Sequence, residues 1–185
     1  MVLYTMNQLI KDLDKVSISY LKNLDIAKCT QTRAGIIVYT IINNDLFFIV
    51  GIDTDSNDIT DFGGGVNIKK GETVIKGGLR ELMEESLGVF GFIKEEELLN
   101  CITVFNETSL IIFIPLKLNP YRIYEEFIKR IQFVEKPEVK GLAFLNVGQF
   151  ITLIKGNLVQ GLTMYSKIQS ILFQALEKFN FIKLL

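Results

Sequence analysis

The chain has 185 residues, enough for one domain with a substantial core, and its composition is 49% hydrophobic and 22% charged, which excludes a disordered protein. Its 20 basic and 21 acidic side chains give a net charge of −1, so no global field draws it onto nucleic acid or an anionic membrane. Histidine is absent, which removes His-dependent triads, His-ligated zinc and imidazole as a general base.

Carboxylates are therefore the abundant groups left for acid, base and metal chemistry. The two cysteines, Cys29 and Cys101, have no C-x-x-C spacing and read as reduced structural residues. The longest apolar run, Leu110 to Leu116, is too short to span a bilayer, and the N-terminus has no signal-like apolar run. The expectation is a soluble, cytoplasmic protein. Usage rich in Ile, Asn and Lys suggests an AT-rich coding origin, and for a virus the compartment is the host cytoplasm.

In chain order, Leu9, Ile10, Leu13, Val16, Ile18 and Leu21 recur at mostly helical spacing, predicting an amphipathic helix over 6 to 25 within an N-terminal extension spanning 1 to 30. From Ala34 the runs GIIVYTII and LFFIVGI, separated by Asn43-Asn44-Asp45, predict a hairpin of buried strands. A polar loop, DTDSND, leads to a short strand and the glycine run Gly63-Gly64-Gly65. A helix is predicted over Thr73 to Leu87, where Val74, Leu79, Leu82, Met83 and Leu87 are apolar and Gly88 stands just beyond. Two strands, CITVFN and SLIIFIPLKL, follow, then helix 121 to 134, strand 141 to 146, helix 147 to 155 and a terminal helix over 166 to 182. Without regular strand-helix alternation, this order predicts an α/β fold with a mixed sheet flanked by helices, as a single domain.

The stretch from 61 to 90, DFGGGVNIKKGETVIKGGLRELMEESLGVF, carries the chemistry. On a helix, Glu81, Glu84 and Glu85 emerge from one face, three and four positions apart. Three like charges there repel one another unless a cation joins them, and hard cations such as Mg²⁺ take oxygen ligands from a few carboxylates plus substrate phosphates. The glycines just upstream let backbone approach a ligand closely, and a glycine carbonyl can complete a metal shell. Glu72 stands at the expected helix start, and Arg80 falls near the same face as the glutamates, so an Arg80–Glu72 ion pair is expected to tie loop to helix. Lys69 and Lys70 are available to phosphate oxygens. Neither G-x-G-x-x-G nor G-x4-G-K-[ST] occurs, which disfavours Rossmann and P-loop readings.

This stretch resembles a Nudix box, G-x5-E-x7-R-E-U-x-E-E-x-G-U with U aliphatic. Glu72, seven intervening residues, then Arg80-Glu81-Leu82-Met83-Glu84-Glu85 match its central part without a gap. One extra residue falls between Gly65 and Glu72 and another after Glu85, leaving Gly65 or Gly64 as the carbonyl donor. The resemblance implies a Nudix domain with its sheet sandwiched between helices. It also implies metal-dependent hydrolysis of a phosphoanhydride in a nucleotide or nucleoside-diphosphate derivative, with Mg²⁺ or Mn²⁺ as cofactor. It assigns Glu81, Glu84 and Glu85 as metal ligands, Glu72 and Arg80 as the structural pair, and a base or further ligand in a late loop, where Glu138 lies. The favoured substrate is a (deoxy)nucleoside triphosphate. The competing readings are removal of an mRNA cap and non-catalytic nucleotide binding; a homodimer through the apolar terminal helix is compatible with each.

Overall fold

The computed structural model describes residues 15 to 185. The described strands are β1 (Ser17–Tyr20), β2 (Arg33–Ile42), β3 (Asp45–Asp53), β4 (Ile59–Thr60), β5 (Phe62–Gly65), β6 (Ile102–Phe105), β7 (Ser109–Pro115) and β8 (Val139–Asn146). The helices are α1 (Val74–Glu85), α2 (Pro120–Ile131), α3 (Val147–Ile154) and α4 (Ser166–Phe179).

These strands form one mixed sheet, ordered β1-β6-β7-β2-β3, with β8 on the far edge of β3 and only β2 and β7 running parallel. The hairpin β2–β3 turns through Asn43 and Asn44, both left-handed at φ 52° and 67°, as a two-residue turn matching the strand twist requires. Central strands alternate their apolar residues between two cores. Ala34, Ile36, Val38, Ile49 and Ile112 face one core with Val74, Leu82 and Phe127, from α1 and α2. Ile37, Tyr39, Phe48, Val50 and Phe113 face the other with Phe150, Leu153, Ile168 and Leu172, from α3 and α4. The sheet is thus sandwiched between two helical layers, and each large side chain fully buried there contributes roughly 1.5–3 kcal/mol. From α4, Ile168, Ile171, Leu172 and Ala175 are buried in this core, while Phe173 and Phe179 are exposed.

The expected N-terminal helix is corrected where the structure describes it. Residues 6 to 14 lie outside the described residues, but Ser17–Tyr20 is a strand paired with β6, followed by 3₁₀ turns at Leu21–Asn23 and Ile26–Lys28. Val16 and Ile18 sit two apart, alternating with Ser17 and Ser19, which is strand periodicity, and the edge of β6 supplies the partner.

A fork in the sheet positions the glycine run. β2 pairs with β3 from Val38 to Ile42, while its first half, Arg33 to Ile36, pairs with β5 instead. β4 pairs with the far half of β3, so the β4–β5 segment fills the opening between the diverging strands, with Asp61 at its corner. α1 packs over this fork, where Gly78 lies above Ala34 and Ile36; a Cβ there would stand 3.6 Å from the nearest Ile36 atom.

Candidate active site

α1 begins where the Thr73 hydroxyl accepts the Lys76 N–H, a side-chain cap in the expected position. Its glutamates differ in exposure. Glu81 is 8% exposed against Gly64, Glu84 is open to solvent and Glu85 is intermediate. A Cβ at Gly64 would come within 2.5 Å of Glu81 Oε1, so only glycine lets the strand run this close to the carboxylate.

Arg80 ties the box together. Its Nε donates to Glu72 Oε1 at 2.9 Å, Nη1 to Glu81 Oε1 at 2.7 Å and to Glu84 Oε2 at 3.0 Å, and Nη2 to the Gly65 carbonyl at 2.8 Å. Glu72 in turn accepts the Asn67 N–H at 2.6 Å, closing the loop before α1. The Arg80 hydrogen bond and charge hold Glu72 below the usual carboxylate range. The same partners, Glu72 first, raise Arg80 far above its ordinary value.

Glu85 behaves in the opposite sense. Burial first, then the neighbouring Asp61 charge, push it up to about 8, with Glu81 and Glu138 adding to the effect and the Gly63 N–H opposing it. Burial also raises Glu81, against the pull of Arg80. The Gly63 N–H donates to Glu85 Oε2 at 2.8 Å.

Two adjoining cavities meet at Glu85. One, about 160 Å³, is lined by Glu81, Glu84, Glu85 and Glu138 with Lys136 and Pro137. The other, about 510 Å³, runs along Gly63, Gly64 and Gly65 from Glu85 and Glu138 towards Arg33, Tyr165 and Lys167. Glu138 reaches both because Thr54 fastens its loop: the Thr54 N–H donates to the Glu138 carbonyl at 2.9 Å and the Thr54 hydroxyl to the Pro137 carbonyl at 2.6 Å. A register irregularity between Ile52 and Asp53 accompanies this pairing of β3 with β8, the kind of defect that re-aims a side chain. A larger cavity, about 770 Å³, lies on the opposite flank of α1 against Leu79, Met83 and Phe92, away from the glutamates.

Thus Glu138, distant in sequence from α1, lines one cavity together with Glu81, Glu84 and Glu85, and Gly65 lines the adjoining one. Lys69 and Lys70 are exposed in the 3₁₀ turn Ile68–Lys70 and line neither cavity. The cations that do line the larger cleft, Arg33 and Lys167, escape sequence reasoning. Arg33 opens β2 and Lys167 lies in the first turn of α4, and no local spacing links either to the box.

A hard divalent cation fits the donor chemistry: oxygen-only groups, two of them with raised proton affinity in mutual proximity. Among the described residues no three acidic side chains already converge to hold an ion; Glu81 and Glu84 share the Arg80 guanidinium instead. The antiparallel ladder indicates which carbonyls are turned towards the site. The Val66 N–H donates to the Thr32 carbonyl, so alternation makes Gly64 with Ala34 the next hydrogen-bonded pair and turns Gly63 and Gly65 outward.

No protein-family model matches the sequence, and no curated protein matches it. Among solved structures, the chain is similar to an Ap4A hydrolase from C. elegans in a binary complex (18% identity, 77% of this chain and 93% of that one, TM-score 0.48). It is also similar to the NUDIX domain of Shewanella oneidensis NrtR complexed with ADP ribose (14% identity, 86% and 96% of the two chains, TM-score 0.46). A third similar structure is the Bacillus subtilis pyrophosphohydrolase BsRppH (14% identity, 89% and 91%, TM-score 0.41).

Proposed function

We propose that this chain is a Nudix hydrolase that cleaves a phosphoanhydride bond in a nucleotide or nucleoside-diphosphate derivative, using Mg²⁺ or Mn²⁺ held by Glu81, Glu84 and Glu85. The observation carrying this reading is the one cavity that Glu138 lines together with the three box glutamates, beside a cleft lined by glycine backbone. Gly65 is the carbonyl donor on this reading, because its side of β5 turns away from the ladder.

The bound cation supplies charge neutralisation on the phosphoryl oxygens. The chain does the rest. The Gly63 N–H orients Glu85, and Gly64 admits Glu81 against the strand. Arg80 and Glu72 hold the loop and α1 in one frame. Lys167 meets anionic oxygens of the substrate in the larger cleft. Glu138, across the cavity from α1, takes a proton from the attacking water as the new phosphorus–oxygen bond forms in line with the one that breaks; the leaving phosphate departs with the bonding electron pair. The substrate class favoured is a (deoxy)nucleoside triphosphate.

The test is release of phosphate and pyrophosphate from a panel of nucleoside triphosphates, dinucleoside polyphosphates, ADP-ribose and capped RNA, with Mg²⁺ or Mn²⁺, alongside Glu85→Gln. The expected outcome is cation-dependent release that Glu85→Gln loses. Binding of these nucleotides without release from any of them would overturn the hydrolase reading in favour of a non-catalytic nucleotide-binding protein.

A further inference from the structure

Asp61 and Arg33 take no part in the chemistry above, yet Asp61 is a fully buried carboxylate at the corner of the forked sheet. Arg33 grips it bidentately, Nη1 to Oδ2 at 2.9 Å and Nη2 to Oδ1 at 2.5 Å. The pair has its own space in the fold: a Cβ at Gly35 would overlap the Asp61 carboxylate, and one at Gly63 would lie 2.5 Å from Gly35 Cα. Facing glycines on β2 and β5 thus leave room for a buried charge that a core has no other reason to hold.

The same Nη2 that binds Asp61 also donates to the Gly63 carbonyl at 3.1 Å, and the other end of that residue, the Gly63 N–H, donates to Glu85. β5 has few side chains with which to fix itself, since three of its four residues are glycine. Its outward carbonyls are instead held by two guanidiniums, Arg33 on Gly63 and Arg80 on Gly65. We infer that Asp61 and Arg33 are positioning residues: Asp61 fixes the Arg33 fork, the fork fixes the Gly63 peptide, and that peptide aims the Glu85 carboxylate into the cavity.

This inference rests on Glu85 being a ligand of the divalent cation, and the experiment separates the two. Mn²⁺ binding to the full chain is titrated by the loss of the free-ion paramagnetic resonance signal, with melting curves run on each variant. Arg33→Lys keeps a positive charge beside Asp61 but cannot span Asp61 and Gly63 as a fork. Asp61→Asn keeps the shape and loses the charge. The double variant Arg33→Met/Asp61→Leu removes both charges together, an exchange that buried pairs tolerate better than removal of one partner. The expected result is a cooperatively melting variant whose Mn²⁺ dissociation constant rises about tenfold, the scale of a lost outer-shell contact to a ligand.

Folded variants that bind Mn²⁺ within twofold of wild type would overturn the inference. So would a set in which no variant folds, since that would make the pair a folding element only. Glu85→Gln is the control: if it too binds Mn²⁺ like wild type, the ligand reading of Glu85 fails. If it loses binding while the Arg33 and Asp61 variants keep it, the ligand reading stands and the positioning role alone fails.

Discussion

Arg80 and Glu72 are eight residues apart, on either side of the turn into α1, and meet at 2.9 Å through Nε and Oε1. The guanidinium so anchored also reaches Glu81, Glu84 and the Gly65 carbonyl, so one side chain sets the relative position of loop, strand and helix.

Arg80→Ala leaves Glu72 and the Gly65 carbonyl without their charged donor. Loss of a hydrogen-bonded partner at a partly buried site costs about 1–3 kcal/mol, and the melting temperature is expected to fall accordingly. Arg80→Lys should recover little of it, because one ammonium cannot serve Glu72, Glu81, Glu84 and Gly65 together. Thermal melts of both variants check this; an unchanged melting temperature for Arg80→Ala would refute the tie.

The pH dependence of the cation-free protein follows from Glu85. Its folded value, about 8, lies above the ordinary 4.5, so between these values the folded state binds more protons than the unfolded one. Stability therefore falls as pH rises through this window and is undiminished by this group below it. The groups acting on Glu85 are Asp61, Glu81 and Glu138, which favour its proton, and Arg33 and the Gly63 N–H, which oppose it. With a chelator present, the melting temperature should drop from pH 5 to pH 8, and Glu85→Gln should flatten that slope. Adding Mg²⁺ at pH 8 should restore stability to wild type more than to the variant.

Glu138→Gln tests the far wall of the cavity. Substituting this exposed side chain is expected to leave the unfolding free energy within about 0.5 kcal/mol of wild type. Turnover should fall about 10²-fold or more, the scale of a lost general base. Parallel pH-rate profiles and melts decide it; undiminished turnover removes Glu138 from the proton transfer.

Phe48 provides a control remote from the chemistry. It is fully buried and stacks on Phe150 with ring centroids 3.9 Å apart, in the core opposite α1. Phe48→Ala is expected to cost about 3–5 kcal/mol. Mn²⁺ affinity of the protein that remains folded should be unchanged.

The box was legible because its information is local: Glu81, Glu84 and Glu85 share a helix whose period is fixed, and Thr73 and Gly88 mark its ends in the sequence. The two helical layers were legible for the same reason, from apolar periodicity in 166 to 182 and the buried runs of β2 and β7. Val16 and Ile18 misled because a short apolar set fits both periods, and the tie is broken by the edge of β6, more than 80 residues away. Arg33 and Asp61 were invisible because their meeting depends on β2 pairing with β5 over Arg33 to Ile36 before it joins β3 at Val38, which neither residue's neighbours encode.

That fork divides the protein into parts that can change separately. The box helix is fastened to the stem, on β2 and β5, whereas the rim of the larger cleft is made of the Asp53 to Ser56 turn and the stretch from Tyr165 to Lys167, which carry little of the two cores. Lengthening or recolouring the rim alters which molecule fits without shifting the carboxylates. A lineage with this architecture can change the shape and charge of its cleft by loop replacement while the carboxylate-bearing layer stays constant.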